Sequence, residues 1–202
     1  MKQKLKISGK LSVALLLLLS SSGCYFTSSN PLPAGPLDQE LLGVWKVADV
    51  KEASGPPGYV LFAKSQNDRL QIIIMEKYFE NVEIYQGFCS KIGSEKYLNV
   101  KKVLFGKDGQ SAELDADFSL VHYRIAGQVR LEMTLLNETL MKSAVKSGQL
   151  RGLLSDREND LNLICTTGEL ADFLGRHKPA ELLGEPLPIL ERTNRLPQPA
   201  AK

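Results

Sequence analysis

The chain has 202 residues, of which 43% are hydrophobic and 24% are charged, a balance that excludes a disordered polymer, a fibrous protein and a multi-span membrane protein. Its first ten residues contain four lysines and no acid, so their removal would turn the net charge of +2 into about −2. A nucleic-acid backbone is therefore disfavoured as a partner, and the length suits one folded domain.

The amino terminus has the three parts of an export signal. Four lysines precede Leu11–Leu19, an almost uninterrupted apolar run, and small residues follow it up to Cys24. A helix needs about 20 apolar residues to cross a bilayer, so this run is too short for a permanent span. We expect residues 1–23 to be a cleaved signal peptide and not a helix of the mature fold.

The run into Ser22, Gly23 and Cys24 resembles the signal of bacterial lipoproteins, and the resemblance covers the first 24 residues. It implies cleavage before Cys24, a diacylglyceryl group on its thiol and acylation of the new amine. In that family an aspartate after the cysteine favours the inner membrane, so Tyr25 implies a periplasm-facing outer-membrane location. The alternative is ordinary cleavage, which would release a soluble periplasmic protein, because Ser21 departs from the leucine that the family prefers.

The segment 24–36 contains the lipidation site Cys24 and is rich in serine, proline and glycine. Such a composition buries little apolar surface, so we expect a flexible tether between the anchor and the domain. Two or three acyl chains would give stable attachment, since each buried methylene contributes about 0.8 kcal/mol. The segment 193–202 is again polar and proline-rich, and we expect a loose tail.

Between residues 37 and 192, short alternating or apolar runs are separated by turn residues, which predicts a mainly β domain. Turn-forming residues at 65–68, 106–109 and 126–128 join neighbouring runs as hairpins. The hairpins predict an antiparallel meander that closes into a β-barrel. The predicted strands are 44–50, 59–64, 70–77, 82–88, 97–105, 118–126, 129–136, 152–154 with 161–165, and 187–192.

Two segments carry helix signals. Asn137 can cap a helix whose apolar residues share one side, and Gly148 can end it. Thr166 and Glu169 have capping-box spacing ahead of an apolar stripe that ends near residue 178. We expect one or two short helices, the second of which packs on the barrel exterior or plugs one end.

The start of the first predicted strand resembles the entry of lipocalin-like barrels, with Gly43 and Trp45 as the matching positions. In that family the tryptophan closes the barrel floor and an arginine near the last strand packs across it. The resemblance, which spans roughly residues 41–192, implies that Arg192 has this structural role. A guanidinium over an indole contributes about 1 kcal/mol.

A barrel of about eight strands can hold one small apolar ligand or be filled by its own side chains. Branched and aromatic residues of the predicted strands are the candidates for a cavity lining, and plain core is the alternative interpretation of each. They are Ile72, Ile74, Ile84, Phe88 and Phe118.

Two cysteines remain besides Cys24, and an oxidising periplasm would allow a disulfide between them. Strand parity argues against it. Cys165 shares a face with core-type leucines, whereas Cys89 lies on the face opposite Phe88, which predicts the outside unless a bulge at Gly87 shifts the register.

No cofactor or metal site is expected. His122 and His177 have no second imidazole at ligand spacing. Glu113, Asp115 and Asp117 would share one strand face and could attract a hard cation, although an exposed strand edge is the simpler interpretation. The chain has no phosphate-binding glycine loop, nucleophile elbow or Cys-x-x-Cys motif, so we expect no enzyme.

The expected function is a lipid-anchored envelope protein whose β-barrel is a noncatalytic binding or structural module, with a small apolar ligand as one option for its partner. The first alternative is a protein-interaction accessory in envelope assembly or inhibition, which would use an exposed sheet edge or rim loops. It would have a dry interior and an exposed apolar patch. A periplasmic hydrolase assembled from scattered residues is the remaining alternative.

Overall fold

The structure, a computed structural model, describes residues 26–48, 58–76, 81–105, 112–114, 117–155 and 160–194. The predicted signal peptide and Cys24 lie outside these residues, as does most of the predicted tail.

The described residues form thirteen strands, most of them in the predicted places. Their bounds are β1 Thr27–Ser28, β2 Gly43–Val47, β3 Tyr59–Lys64, β4 Leu70–Glu76, β5 Asn81–Ile92, β6 Glu95–Phe105, β7 Ala112–Leu114, β8 Ser119–Ala126, β9 Arg130–Leu136, β10 Gly152–Leu154, β11 Leu161–Leu163, β12 Leu183–Pro186 and β13 Leu190–Thr193.

Eight of these strands close into an antiparallel barrel. Strands β2 to β6 pair in chain order, β8 pairs with β6 and β9, and β13 closes the circuit between β9 and β2. The short strands β12 and β7 extend the edges of β9 and β6. The predicted fold class, a mainly β meander closed into a lipocalin-like barrel, is confirmed.

One end of the barrel, here called the base, carries the start of β2 and the turns that join β3 to β4, β5 to β6 and β8 to β9. In the β8–β9 turn Gly127 and Gln128 both have positive φ, at 58° and 63°. With Val129 they form a three-residue turn between the paired residues Ala126 and Arg130. The connections at the other end fall largely on residues outside those described.

The described part of the chain has three short α-helices outside the barrel, where the sequence predicted one or two: α1 Glu138–Lys146, α2 Thr167–Arg176 and α3 Pro179–Leu182. The side chain of Asn137 caps α1, accepting a hydrogen bond from the amide of Leu140. Thr166 and Glu169 form the predicted capping box of α2. Both helices turn their apolar stripe toward the barrel wall and away from solvent.

The apolar side chains form two cores. The first fills the barrel, and its largest fully buried members include Trp45, Leu98 and Tyr123. The second lies outside the wall made by β6, β8 and β9, where α1, α2 and the small sheet of β1, β10 and β11 cover it. The described helices therefore pack on the barrel exterior, where they cover the second core, and do not plug an end.

Residues 26–36, expected to be a flexible tether, instead run along the outer barrel wall. Ser28 exchanges two backbone hydrogen bonds with Phe118, at 2.9 and 2.8 Å. Phe26 and Leu32 are buried in the outer core. The prediction from composition was wrong here because these two apolar side chains find a pocket outside the barrel, which offsets the cost of ordering a proline-rich segment.

Polar side chains on the wall hold the backbone of this segment. The amide of Leu32 donates to Asn99 Oδ1 at 2.7 Å, and Ser90 Oγ donates to the carbonyl of Pro33 at 2.6 Å. Asn99 Nδ2 in turn donates to Ser90 Oγ at 2.7 Å. The buried polar side chains of Ser90 and Asn99 are thus satisfied by the segment and by each other, so the outer wall binds the segment in one specific position.

Candidate functional site

Arg192 closes the base of the barrel over Trp45. The two residues are cross-strand partners in β13 and β2, and the guanidinium carbon lies 4.3 Å from the centroid of the indole ring. Trp45 is fully buried, and its Nε1 donates to the carbonyl of Leu41 at 2.8 Å. The tryptophan and the arginine singled out from the sequence are in contact.

Backbone carbonyls fix the guanidinium from three sides. Arg192 donates to the carbonyls of Gln128 at 2.9 Å and Leu42 at 2.8 Å, and also to that of Glu40. Gly43 makes room for it, because its φ is +122° and a Cβ there would stand 3.2 Å from Arg192 Nη1. Three chain segments, before β2, between β8 and β9, and in β13, are therefore joined at one side chain.

A polar cluster lies beside this floor, and no sequence motif pointed to it. Asp38 Oδ2 accepts hydrogen bonds from Lys96 Nζ at 2.8 Å and from Tyr123 Oη at 3.0 Å. The Cys89 thiol faces the Tyr123 hydroxyl and the backbone amide of Asp38. Asp38 also caps the 3₁₀ turn Gln39–Leu41 that leads into β2. The only sequence signal was an aspartate directly before that turn.

The charges of this cluster stabilise one another and hold the segment before β2 against the barrel wall. Burial alone would raise the pKa of the Asp38 carboxyl, but hydrogen bonds from Lys96, Tyr123 and the amide of Glu40 outweigh it and lower the pKa below its usual value. The hydrogen bond to Asp38 raises the pKa of Lys96. Burial raises the pKa values of Cys89 and Tyr123. Near neutral pH these directions leave the thiol and phenol protonated beside an ion pair.

The described side chains almost fill the barrel interior. A cavity of about 40 Å³ remains between apolar side chains from several strands, and Ile72 and Ile74 are part of its wall. Small-molecule sites in proteins typically enclose about 300–1,000 Å³. The space here suits at most a very small apolar group.

Three of the five candidates for the cavity lining lie elsewhere. Ile84 and Phe88 sit on the outer face of β5, because Tyr85 between them points inward. Phe118 also lies outside and makes an edge-to-face contact with Phe88, with the ring centroids 5.9 Å apart. The parity prediction failed because β5 is covered on both sides, so apolar residues occur on both of its faces.

Because the inward and outward faces of β5 are the reverse of those predicted, Cys89 lies inside the barrel. The β4–β5 and β5–β6 pairings have no bulge at Gly87. Cys165 belongs to the outer core. Both thiols are free and buried, and the barrel wall separates them. They do not form a disulfide.

His122 lies on the outer wall, where its Nε2 is 2.8 Å from Glu95 Oε2 and its ring meets Tyr97 edge to face. The hydrogen bond with His122 lowers the pKa of Glu95. His177 is placed at the end of α2, with its Nδ1 2.8 Å from the carbonyl of Phe173. Each histidine has a local partner and an ordinary packing role.

The acidic triplet expected at a strand edge lies mainly outside the described side chains. Its described member Asp117 accepts hydrogen bonds from Ser29 Oγ at 2.7 Å and Asn162 Nδ2 at 3.0 Å. Within the described residues no group of three or more metal-ligating side chains converges on one point.

The surface carries an open groove of about 570 Å³ between the β5–β6 turn and α2, lined in part by Lys91, Asp172 and Arg176. It also carries the small sheet of β1, β10 and β11, whose outer face exposes two large aliphatic side chains. Leu153 is 60% exposed and Ile164 is 40% exposed. Strand β10 is an edge of that sheet, so its outer backbone groups are not paired within it.

No family model, curated protein or solved structure matches the chain. Among the described helices, none is long and apolar enough to span a membrane.

Proposed function

We propose that the protein is a lipid-anchored protein of the bacterial cell envelope, attached through acyl chains on Cys24, whose β-barrel is a noncatalytic module that acts through its outer surface. The observation that carries the choice of surface over interior is the filled barrel. The cavity of about 40 Å³ that the described interior side chains leave between them has no room for a lipid or other sizeable ligand.

The construction of the barrel supports a structural role for its floor. Arg192 and the Asp38 cluster hold the base through backbone carbonyls and an ion pair, and the polar groups there are directed at one another. The outer wall, by contrast, carries a second core, an open groove and a sheet edge. These are the features through which a module of this size contacts other molecules.

The interior is tested by native mass spectrometry of the domain purified under mild conditions. We expect the wild type to carry no bound apolar molecule. Met133→Ala is the matched control, because Met133 lines the cavity and its truncation enlarges it. This variant should take up benzene or xenon, which shows that the assay detects interior binding. A stoichiometric apolar ligand on the wild type would overturn the surface proposal in favour of a carrier.

The anchor is tested separately by metabolic labelling with palmitate. The wild type should incorporate label and Cys24→Ser should not, whereas Cys89→Ser should behave as the wild type because that thiol is buried inside the barrel. Equal labelling of all three proteins would show that Cys24 is not the lipidation site.

The membrane is tested by fractionation. The wild type is expected in the outer membrane, and Tyr25→Asp should move it to the inner membrane without loss of the acyl mass. A wild type found in the inner membrane would contradict the proposed location.

A further inference from the structure

We infer that the exposed face of the small sheet, which Thr27, Leu153 and Ile164 share, rests on the surface of the lipid bilayer that holds the protein. The inference depends on the proposed lipidation of Cys24. It adds the orientation of the domain relative to the membrane. A flexible tether would leave the domain free to rotate, whereas residues 26–36 are packed on the barrel wall.

The chain leaves no length for a spacer. Phe26 is already buried in the outer core, and Thr27 is already paired with Asn162 of β11. Cys24 precedes Thr27 by three residues, which span at most about 11 Å when fully extended. Acyl chains on Cys24 would therefore enter the bilayer within that distance of the small sheet.

The small sheet places its apolar surface next to that point. Thr27, Asn162 and Leu153 form one row across the three strands, so Leu153 lies two strand spacings, about 10 Å, from Thr27. Ile164 is two residues after Asn162 and lies on the same face, diagonal to Leu153. The two aliphatic side chains thus lie diagonal to each other on the face of the sheet that contains Thr27.

Several polar side chains of this face are engaged by other residues of the protein. Ser29 and Asn162 both bond to Asp117, and Arg151 donates to Glu169 at 2.7 Å. A charge that is paired within the protein is less costly to bring near the interface than one that is not. Exposed leucine and isoleucine gain free energy by entering the boundary between headgroups and acyl chains. The occupant that fits is a lipid surface, bound through apolar contact and not through charge.

The experiment uses the full acylated protein in vesicles of zwitterionic phosphatidylcholine. Leu153→Cys carries an environment-sensitive fluorophore, and Val129→Cys is the matched control, because Val129 is also 60% exposed but lies in the β8–β9 turn at the base. The native cysteines Cys89 and Cys165 are buried and should not react. Emission of Trp45 reports that each labelled protein is folded.

Lipids with a quencher in the upper acyl chain should remove at least about half of the emission at position 153, as expected for side chains inserted about 5–10 Å into the interface. Emission at position 129 should stay unchanged. Raising the salt concentration should not reverse the effect. Ile164→Asp should weaken the quenching of the fluorophore at position 153.

Failure of the inference and failure of the anchor give different results. Acylated protein that stays on the vesicles with equal emission at 153 and 129 would overturn the orientation while leaving lipidation intact. A protein without acyl mass that floats free of the vesicles would overturn the proposed anchor itself. Protection of position 153 only after a protein partner is added would assign this face to a protein and not to the bilayer, and would also overturn the inference.

Discussion

Trp45 and Arg192 are 147 positions apart in the chain, yet they are direct partners across the β2–β13 pair and stack at the base of the barrel. Cross-strand partners share a face of the sheet, so both side chains point to the barrel axis. The pair therefore closes the circuit of strands and covers the floor with one contact. Because its strands are the first and last of the barrel, it is formed only when the meander is complete.

Removal of the Arg192 side chain should weaken the barrel at this closure. We expect Arg192→Ala to lower the free energy of unfolding by about 2–3 kcal/mol, through loss of the cation–π contact and of three hydrogen bonds to carbonyls. Arg192→Lys should recover only part of this loss, because an ammonium cannot reach three carbonyls in a plane. Urea unfolding followed by the emission of Trp45 gives both values.

The control for that experiment is Arg124→Ala. Arg124 is an exposed arginine whose guanidinium bonds to Glu132 on the neighbouring strand. Exposed pairs contribute little to stability, so its effect should be small. Equal losses for Arg192→Ala and Arg124→Ala would contradict the closure role.

The strands could be predicted because the turns between them contain residues that favour turns, such as asparagine and glycine. Strand β3 was predicted at its observed bounds, and Asn67 and Gly127 in the predicted turns do adopt positive φ. Strand β5 was predicted four residues too short at its end. It continues past Gly87 to Ile92 because the residues that follow are buried on either side, and a twofold pattern does not mark the end of such a strand.

Which face of β5 points inward could not be obtained from the sequence. The alternation of side chains assigns each residue to one of two faces but does not show which face points into the barrel. In β5 both faces are apolar. The outer face is covered by the N-terminal segment, Phe118 and the guanidinium of Arg69, which lies 4.3 Å from the centre of the Phe88 ring. These are long-range contacts, so no local pattern reveals them.

The Asp38 cluster was missed for the same reason. Its members come from the 3₁₀ turn, β5, β6 and β8, and no two of them stand at a motif spacing. The order of residues 26–36 was missed because composition averages over a segment, whereas two apolar residues, Phe26 and Leu32, are sufficient to dock it. Both errors concern tertiary contacts and not local propensity.

Two glycine substitutions should have opposite effects. A Cβ on Gly87 would stand 2.5 Å from the carbonyl oxygen of Asn99, which is backbone of the paired strand and cannot move aside cheaply. We expect Gly87→Ala to destabilise the barrel by about 2–4 kcal/mol. Thermal unfolding followed by circular dichroism measures the change.

Gly175 in α2 is the matched site. A Cβ there would meet only Ile92 Cγ2 at 3.6 Å, an ordinary contact. Because alanine favours a helix over glycine, Gly175→Ala should stabilise the protein by about 0.5–1 kcal/mol. A Gly87→Ala variant as stable as the wild type would show that the β5–β6 approach is looser than described.

The Asp38 cluster should make part of the stability dependent on pH. The pKa of the Asp38 carboxyl is lower in the folded chain than its ordinary value of 3.8, so folding favours the ionised form. This stabilisation is present above pH 3.8 and is lost as the pH falls through the lower folded-state pKa. Asp38→Asn should therefore cost about 1–2 kcal/mol at pH 7, and the difference from the wild type should narrow in acid.

The measurement is urea unfolding of the wild type and Asp38→Asn between pH 7 and the acid limit of the folded state. Other carboxylates contribute to both proteins and cancel in the difference. Lys96→Met and the double variant complete a cycle, which should show coupling between the two side chains at pH 7 and less coupling in acid. If the difference in unfolding free energy between the wild type and Asp38→Asn did not change with pH, it would contradict a hydrogen-bonded, ionised Asp38.

The two free thiols should report the integrity of the two cores. A thiol reagent attacks the thiolate and needs access to it, and burial both raises the pKa values of Cys89 and Cys165 and shields them. In the Cys24→Ser protein we expect negligible reaction with a disulfide reagent under native conditions and two equivalents in denaturant. Leu153→Cys on the same background should add one fast equivalent, since position 153 is exposed. Rapid reaction of the native Cys24→Ser protein, or a shift in mobility between reduced and non-reduced samples, would contradict the separate burial of the two cysteines on opposite sides of the barrel wall.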